Sequence, residues 1–297
     1  MAINWIKKIV GFFVVVGAIG FAYEQYSRTS TPKPIGALAD IGGYSLHYVK
    51  KGSGDVSVIF ESGSDIGGHL PWTKVQDEIA KVATTLSYDR AGLMWSQRGD
   101  KARSGENMAT ELHTLLEKAD VKKPYVLVGH SLAGFLLRSF VKKYPDEVKG
   151  IVFVDASHPE QNKYFETTSS QTPLWLIDYA NATGLIRLFM TQNYPNTTDE
   201  ESINGIVKAM TYKGVHATIE EMNQFDALAE EAKNISSFKD IPLTIISGNI
   251  NDKIWMQLQE KLLLLSTNSK QIKVEGAGHY IQLDKPNVVV DAIKEKL

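Results

Sequence analysis

The segment from Tyr125 to Gly134 constrains this chain more than any other, because it predicts a strand, a sharp turn and a helix in immediate succession. Large apolar and β-branched residues at 125–128 indicate a buried strand, and a helix is predicted from Leu132 onward. Ser131 stands among small residues at the point where the backbone must turn. A serine on such a turn has its hydroxyl raised above the sheet, beside the amino end of the helix. The pattern therefore predicts a nucleophilic serine.

The residues Gly129-His130-Ser131-Leu132-Ala133 resemble the nucleophile motif of the α/β-hydrolase family, with Ala133 where the family usually has glycine. The resemblance extends from about Tyr44 to the C-terminus. It implies an α/β fold with a mostly parallel central sheet flanked by helices, a triad in the chain order Ser, acid, His, and no cofactor. Ser131 would then attack the carbonyl carbon of a small-molecule acyl substrate.

A loop near the C-terminus resembles the family's histidine loop, because Gly276-Ala-Gly-His279 places glycines around a histidine. These glycines would let the loop carry the imidazole back over the ends of the strands. His279 is therefore expected to take the proton of the serine and to return it to the leaving group.

Two aspartates compete for the role of the triad acid. Asp155 directly follows a predicted buried strand, at the end where ligands and catalytic groups gather in parallel sheets. Asp252 follows the strand that ends at Gly248, but the family's usual Gly-x-x-Asp spacing falls on Asn251. Asp252 also suits the N-cap of the helix that comes next. We expect Asp155 to orient the histidine, with Asp252 as the alternative.

Another loop is expected to complete the oxyanion hole. After a predicted central strand, the chain has Ser62-Gly63 where the resembled family carries a His-Gly pair. Backbone N–H groups of Ser64 and Leu132 would stabilise the oxyanion. The segment Asp89–Ser96 resembles a further family motif, and we interpret its first two residues as fixing a structural turn near the site.

These parts predict a serine hydrolase that cleaves a carboxylic ester through an acyl-enzyme on Ser131. Amide, lactone or thioester bonds would use the same groups. Two alternatives stay open: a peptidase or acyltransferase on the same triad, and a catalytically silent ligand-binding or receptor protein of this fold. A serine nucleophile instead of a carboxylate argues against dehalogenase or epoxide-hydrolase chemistry.

The N-terminus predicts a membrane segment. Lys7 and Lys8 precede an uncharged apolar run at 9–23, and extending a helix back through Trp5 makes it long enough to span the hydrocarbon core. We assign residues 1–26 to a membrane anchor or a signal segment, and we favour the retained anchor. Basic residues on its N-terminal side would leave the catalytic domain outside the cytoplasm, or secreted if the segment is cleaved.

Residues 27–34 are polar and contain proline, which indicates a tether, and the hydrolase domain is expected from 35 to 297. Between about 158 and 237 the alternation of strands and helices stops, and the chain is helical and rich in aromatic residues. This insertion resembles the family's helical cap, which would control access to the active site and shape the substrate pocket.

The amino-acid composition limits the classes of partner and of chemistry that the chain can have. The formal net charge of −2, with both signs interspersed, gives no basic face, so nucleic acid is not an expected partner. The chain has no cysteine, which excludes disulfides and thiolate chemistry. No pair of histidines has metal-ligand spacing beside a carboxylate, so we expect no metal. The oligomeric state stays open.

Overall fold

A mostly parallel sheet forms the centre of the protein. The computed structural model describes residues 2–164, 172–193, 201–248 and 251–297. The strands of the described sheet are β1 Ala37–Asp40, β2 Ser45–Lys51, β3 Ser57–Glu61, β4 Thr84–Tyr88, β5 Tyr125–His130, β6 Val148–Val154, β7 Leu243–Ser247 and β8 Ser269–Lys273. Their order in space is β1-β2-β4-β3-β5-β6-β7-β8. The pairs β1–β2 and β2–β4 are antiparallel and the other pairs are parallel, which confirms the predicted fold class.

Helices cover both faces of this sheet and also build an insertion. The helices are α1 Ala2–Arg28, α2 Thr73–Ile79, α3 Gly105–Lys118, α4 Ala133–Lys143, α5 Leu174–Ala182, α6 Leu185–Asn193, α7 Glu201–Asn223, α8 Phe225–Lys233, α9 Lys253–Leu262, α10 Ile281–Asp284 and α11 Pro286–Lys294. Helices α5 to α8 lie between β6 and β7, where a helical insertion is expected from the sequence. We refer to these four helices as the cap.

The central strands are apolar because helices bury both of their faces. Every residue of β3, β5 and β7 is buried, as expected for parallel strands between two helical layers. Along β5, Leu127 packs in the layer formed by α3 and α4, whereas Val126 and Val128 pack in the layer of α2 and α11. The period of two residues in a strand thus sends alternate side chains to opposite layers.

The parallel order brings the loops after β3, β5, β6, β7 and β8 to one edge of the sheet. The cap begins after β6 and therefore starts at the same edge. Its helix α8 packs on α4, where the ring of Phe225 lies 5.2 Å from that of Phe135. This contact holds the cap on the helix that follows Ser131.

Helix α1 lies outside the main core. Its stretch from Lys7 to Arg28 is long and apolar enough to cross a membrane, and almost all of it is exposed. The helix continues past residue 26 into the predicted tether. The tether itself contacts the domain, since the indole N–H of Trp95 donates a hydrogen bond to the carbonyl oxygen of Pro32 over 2.9 Å. The end of α1 is therefore held against the folded domain.

Candidate active site

Ser131 lies in a strained turn between β5 and α4. Its φ of +52° is in the left-handed region, which costs a non-glycine residue about 1–3 kcal/mol. The backbone N–H of Ser131 donates to the Val154 carbonyl over 3.3 Å, and the Ser131 carbonyl accepts from the N–H of Ser157 over 2.8 Å. Residues at the end of β6 thus hold the turn in place. Strain that is maintained in this way is typical of functional positions.

Small residues around the turn make room for Ala133. A Cβ atom added to Gly129 would lie 2.9 Å from the Ala133 Cβ and 2.6 Å from Leu137 Cδ1. A Cβ atom on Gly134 would lie 2.7 Å from the Ser157 carbonyl oxygen. Because glycine occupies position 129, the methyl group of Ala133 fits within a fully buried environment. The methyl group at residue 133, where the usual motif has glycine, is therefore accommodated beside the serine turn.

The carboxylate of Asp155 holds the imidazole of His279. Asp155 Oδ2 lies 2.6 Å from His279 Nδ1, and because a carboxylate only accepts, Nδ1 carries the proton. Asp155 Oδ1 accepts two further hydrogen bonds, from the N–H of Gly248 over 3.0 Å and from the indole N–H of Trp255 over 2.8 Å. The side chain of Asp155 is completely buried, and these three donors compensate for the desolvation of its charge.

Asp252, the alternative acid, lies elsewhere. It is the N-cap of α9, where its side chain accepts a hydrogen bond from the backbone N–H of Trp255 over 2.9 Å. The structure therefore brings Asp155, and not Asp252, to His279. The indole of Trp255 was not predicted as part of the site, because nothing in the sequence shows that α9 turns this residue toward β6.

His130 and Tyr280 support the histidine loop. The ring N–H of His130 donates to the carbonyl oxygen of His279 over 3.0 Å, and the two imidazole rings lie 4.6 Å apart. Burial, and to a lesser extent the charge of His279, keeps the pKa of His130 well below its usual value, so His130 is neutral. The Tyr280 hydroxyl donates to Asp65 over 3.0 Å. These contacts fix the backbone of the loop and leave the His279 side chain 37% exposed to reactants.

The hydroxyl of Ser131 makes no hydrogen bond to any described residue. Contacts between a nucleophile and its base are often long before substrate binds and shorten in the reactive complex. Ser131 and His279 nevertheless lie at the same edge of the sheet, joined through His130. The arrangement provides a raised hydroxyl, an imidazole with Nδ1 protonated, and a buried carboxylate.

The loop after β3 lies directly against the serine turn. A Cβ atom on Gly63 would lie 2.9 Å from the Ser131 Cβ, so only glycine allows this approach. Arg90 fixes the loop by donating to the carbonyl oxygens of Ser62 over 2.6 Å and of Gly63 over 2.7 Å. The next residue, Ser64, is the one expected to offer its N–H to an oxyanion. Arg90 therefore does more than fix its own turn, which is the role that the sequence suggested.

A buried charge network connects this loop to the cap. Arg90 uses its remaining N–H groups on Glu61 at 2.7 Å and, in a bidentate pair, on Glu221 of α7 at 2.7 and 2.9 Å. Arg103 joins the network through Glu221 and Glu111. Burial alone would raise the pKa of Glu221, but the two guanidinium groups hold it below its usual value. Helix α7 of the cap is thereby tied to the loop after β3.

Two histidines and Asp89 form a second buried cluster. His47 Nδ1 and His69 Nδ1 each lie 2.8 Å from an oxygen of Asp89, and the backbone N–H of His69 donates to the same carboxylate. Burial opposes the charge of Asp89, yet the two histidines hold its pKa well below the usual value. The sequence did not reveal this pair of histidines beside a carboxylate. The distances are those of hydrogen bonds that pin the Asp89 turn, and the expected absence of a metal stays a prediction.

Comparison with known proteins agrees with the observed fold. A (lyso)-N-acylphosphatidylethanolamine lipase from Bos taurus is 26% identical over 261 residues, which cover 77% of this chain and 75% of that protein. The solved epoxide hydrolase CorEH is 19% identical with a TM-score of 0.68, and an esterase from Thermogutta terrifontis is 18% identical with a TM-score of 0.64. Each alignment covers 88% of this chain and 97% of the solved chain. A family model described as alpha/beta hydrolase fold matches residues 59–286, and the chain therefore belongs to this family.

Proposed function

We propose that the protein is a serine hydrolase that cleaves a carboxylic ester of a small-molecule acyl substrate. The hydrogen bond between Asp155 and His279, beside the strained turn of Ser131, carries this proposal. With Nδ1 protonated, the lone pair of His279 Nε2 is available to accept a proton. The triad is then Ser131, His279 and Asp155.

In the first half of the reaction, Ser131 Oγ attacks the ester carbonyl carbon while His279 Nε2 takes the hydroxyl proton. The negative charge moves to the carbonyl oxygen, where the N–H groups of Ser64 and Leu132 stabilise it. When the tetrahedral intermediate collapses, the C–O bond to the alcohol breaks and His279 returns the proton to the leaving alkoxide. The acyl group remains on Ser131.

In the second half, a water molecule replaces the alcohol. His279 takes one of its protons, and the hydroxide oxygen attacks the acyl carbon. Collapse breaks the bond to Ser131, which recovers its proton from His279, and the carboxylic acid leaves. No cofactor is required at any step. Epoxide opening, the reaction named for one structural neighbour, needs a carboxylate nucleophile where this chain has Ser131.

We further propose that α1 is a retained membrane anchor with the catalytic domain outside the cytoplasm. The exposed apolar stretch of α1 and the lysines before it support this topology. The similarity to the lipase from Bos taurus, whose name describes a phospholipid substrate, supports an amphipathic ester as the substrate. Alkaline washing should leave the full chain in membranes, whereas a soluble mature protein starting at Tyr23 would show signal cleavage.

A fluorophosphonate probe tests the hydrolase proposal directly. The purified full chain should be labelled at Ser131, and Ser131→Ala should abolish both labelling and the hydrolysis of short-chain aryl esters. The matched control is Ser53→Ala, which removes an exposed hydroxyl from the turn between β2 and β3. Undiminished ester hydrolysis by Ser131→Ala would contradict the assignment, and absence of labelling in the wild type would favour the catalytically silent alternative.

A further inference from the structure

Helix α5 of the cap is apolar on nearly every side, yet none of its nine residues is buried in the described chain. An apolar helix of this kind normally lies in a core or in a membrane. Trp175 is 71% exposed and Tyr179 is 57% exposed. We call the large exposed apolar residues of α5 and α6 the outer cap face: Trp175, Leu176, Tyr179, Leu185, Leu188 and Phe189. Large exposed apolar side chains gathered on two successive helices are typical of an interaction site.

The outer cap face lies beside helix α1, which approaches α5 at two points. A Cβ atom on Gly17 would lie 4.0 Å from the Tyr179 hydroxyl, and one on Gly20 would lie 2.3 Å from the Thr183 carbonyl oxygen. Moving along α1 from Gly17 to Gly20 therefore corresponds to moving along α5 from Tyr179 to Thr183. Trp175 is one turn before Tyr179, so it lies toward the earlier, apolar part of α1.

Charged contacts mark the opposite end of this helix pair. Glu24 of α1 is completely buried and pairs with Arg187 of α6 at 2.8 Å and with Arg28 at 3.0 Å. The Arg28 guanidinium also lies 4.6 Å from the centre of the Tyr212 ring. Polar contacts thus begin after Gly20, whereas the exposed side chains between Lys8 and Gly20 are apolar. This division matches the boundary between a hydrocarbon layer and the polar phase above it.

We propose that the outer cap face contacts the same lipid bilayer that α1 crosses. The inference depends on the proposed insertion of α1, and it adds a second, peripheral membrane contact made by the hydrolase domain. Continuity with the exposed apolar surface of α1 favours lipid over a second copy of the chain as the occupant. Tryptophan and tyrosine are the side chains that proteins place at the membrane interface. Trp175 and Tyr179 supply both.

The absence of cysteine allows a direct test on the full chain. Single replacements Trp175→Cys and Leu185→Cys place an environment-sensitive fluorophore on the outer cap face. Val15→Cys reports the insertion of α1. Leu264→Cys is the matched control, because Leu264 is apolar and 81% exposed but follows α9 and is not part of the outer cap face. Each labelled protein is reconstituted into phosphatidylcholine–phosphatidylglycerol vesicles, and circular dichroism verifies its fold.

Fluorophores at positions 175 and 185 should show blue-shifted emission, quenching by nitroxide-labelled lipid and protection from aqueous iodide. The fluorophore at position 264 should show no blue shift, should be quenched by iodide and should not be quenched by the lipid nitroxide. If position 15 is quenched by the lipid nitroxide while 175 and 185 behave like 264, the anchor stands and the cap inference is wrong. If the fluorophore at position 15 is also exposed to water, both the proposed anchor and the proposed cap contact are wrong. Protection of 175 and 185 from both quenchers would indicate a second copy of the chain and would overturn the lipid contact.

Discussion

The replacement Asp155→Asn tests the proposed triad with a minimal change of shape. Asp155 Oδ1 accepts hydrogen bonds from Gly248 and Trp255, so the asparagine oxygen must occupy that position. The NH₂ group then faces His279 Nδ1, which lies 2.6 Å from Oδ2 in the wild type. Facing a donor, Nδ1 becomes the acceptor and the ring proton moves to Nε2. In this tautomer His279 cannot take the proton of the serine.

The expected loss is therefore larger than that of a weakened contact. The equivalent change in a serine protease triad lowers kcat by about 10⁴-fold, which corresponds to about 5 kcal/mol of transition-state stabilisation. Steady-state hydrolysis of a water-soluble aryl ester measures it. KM should change little, because Asp155 is buried behind His279 and does not reach the substrate. Circular dichroism of the variant verifies that the buried replacement leaves the fold intact.

Asp252→Asn is the matched control. Asparagine is as good an N-cap as aspartate, so α9 should keep its first turn and the variant should keep the wild-type kcat. A severe loss in Asp252→Asn together with an active Asp155→Asn would transfer the role of the acid to Asp252. Full activity in both variants would refute the reasoning from the tautomer of His279.

Two further predictions concern side chains that take no direct part in the reaction. All five N–H groups of Arg90 donate to Glu61, Ser62, Gly63 and Glu221, whereas a lysine has only three donors. Arg90→Lys should therefore lower kcat by about 10²–10³-fold, with a smaller effect on KM. Arg103→Lys, which disturbs Glu221 and Glu111 but not the loop, should lower the melting temperature without that loss of kcat; equal kcat losses would contradict the positioning role. The pKa of His130 in the folded protein lies well below the value of about 6.5 that this side chain has in the unfolded chain. Below pH 6.5 the unfolded state therefore binds a proton that the folded state excludes, and the free energy of unfolding falls. Denaturant unfolding should show a flatter decrease between about pH 6.5 and 5 for His130→Gln, and an unchanged slope would contradict this account.

Local signals in the sequence predicted the central fold and the edge of the sheet at which Ser131, Asp155 and His279 lie. The apolar strand before Ser131, the small residues around it and the glycines before His279 each act within a few residues. The carboxyl end of a buried strand likewise gave Asp155 its expected position. These features follow from strand periodicity and backbone sterics, which a sequence displays directly.

The contacts that the sequence could not predict join distant parts of the chain. Arg90 and Glu221 are separated by 131 positions, and Asp155 and Trp255 by 100. Each side chain alone is consistent with an exposed charge or an ordinary helix residue. His47, His69 and Asp89 meet for a similar reason, because they belong to separate segments that only the strand order brings together. Tertiary placement, and not local pattern, determines these partners.

If α1 crosses a bilayer as proposed, the ion pair between Glu24 and Arg187 determines how the protein responds to bilayer thickness. A simple anchor can slide along its axis until its apolar length matches the hydrocarbon layer. Glu24 is tied to α6, and so α1 cannot slide without breaking a buried salt bridge. A thicker or thinner bilayer would then have to tilt α1 or deform locally. Because α5 packs beside the same helix, such a tilt would be transmitted to the cap, and lipid thickness would become a variable of substrate access.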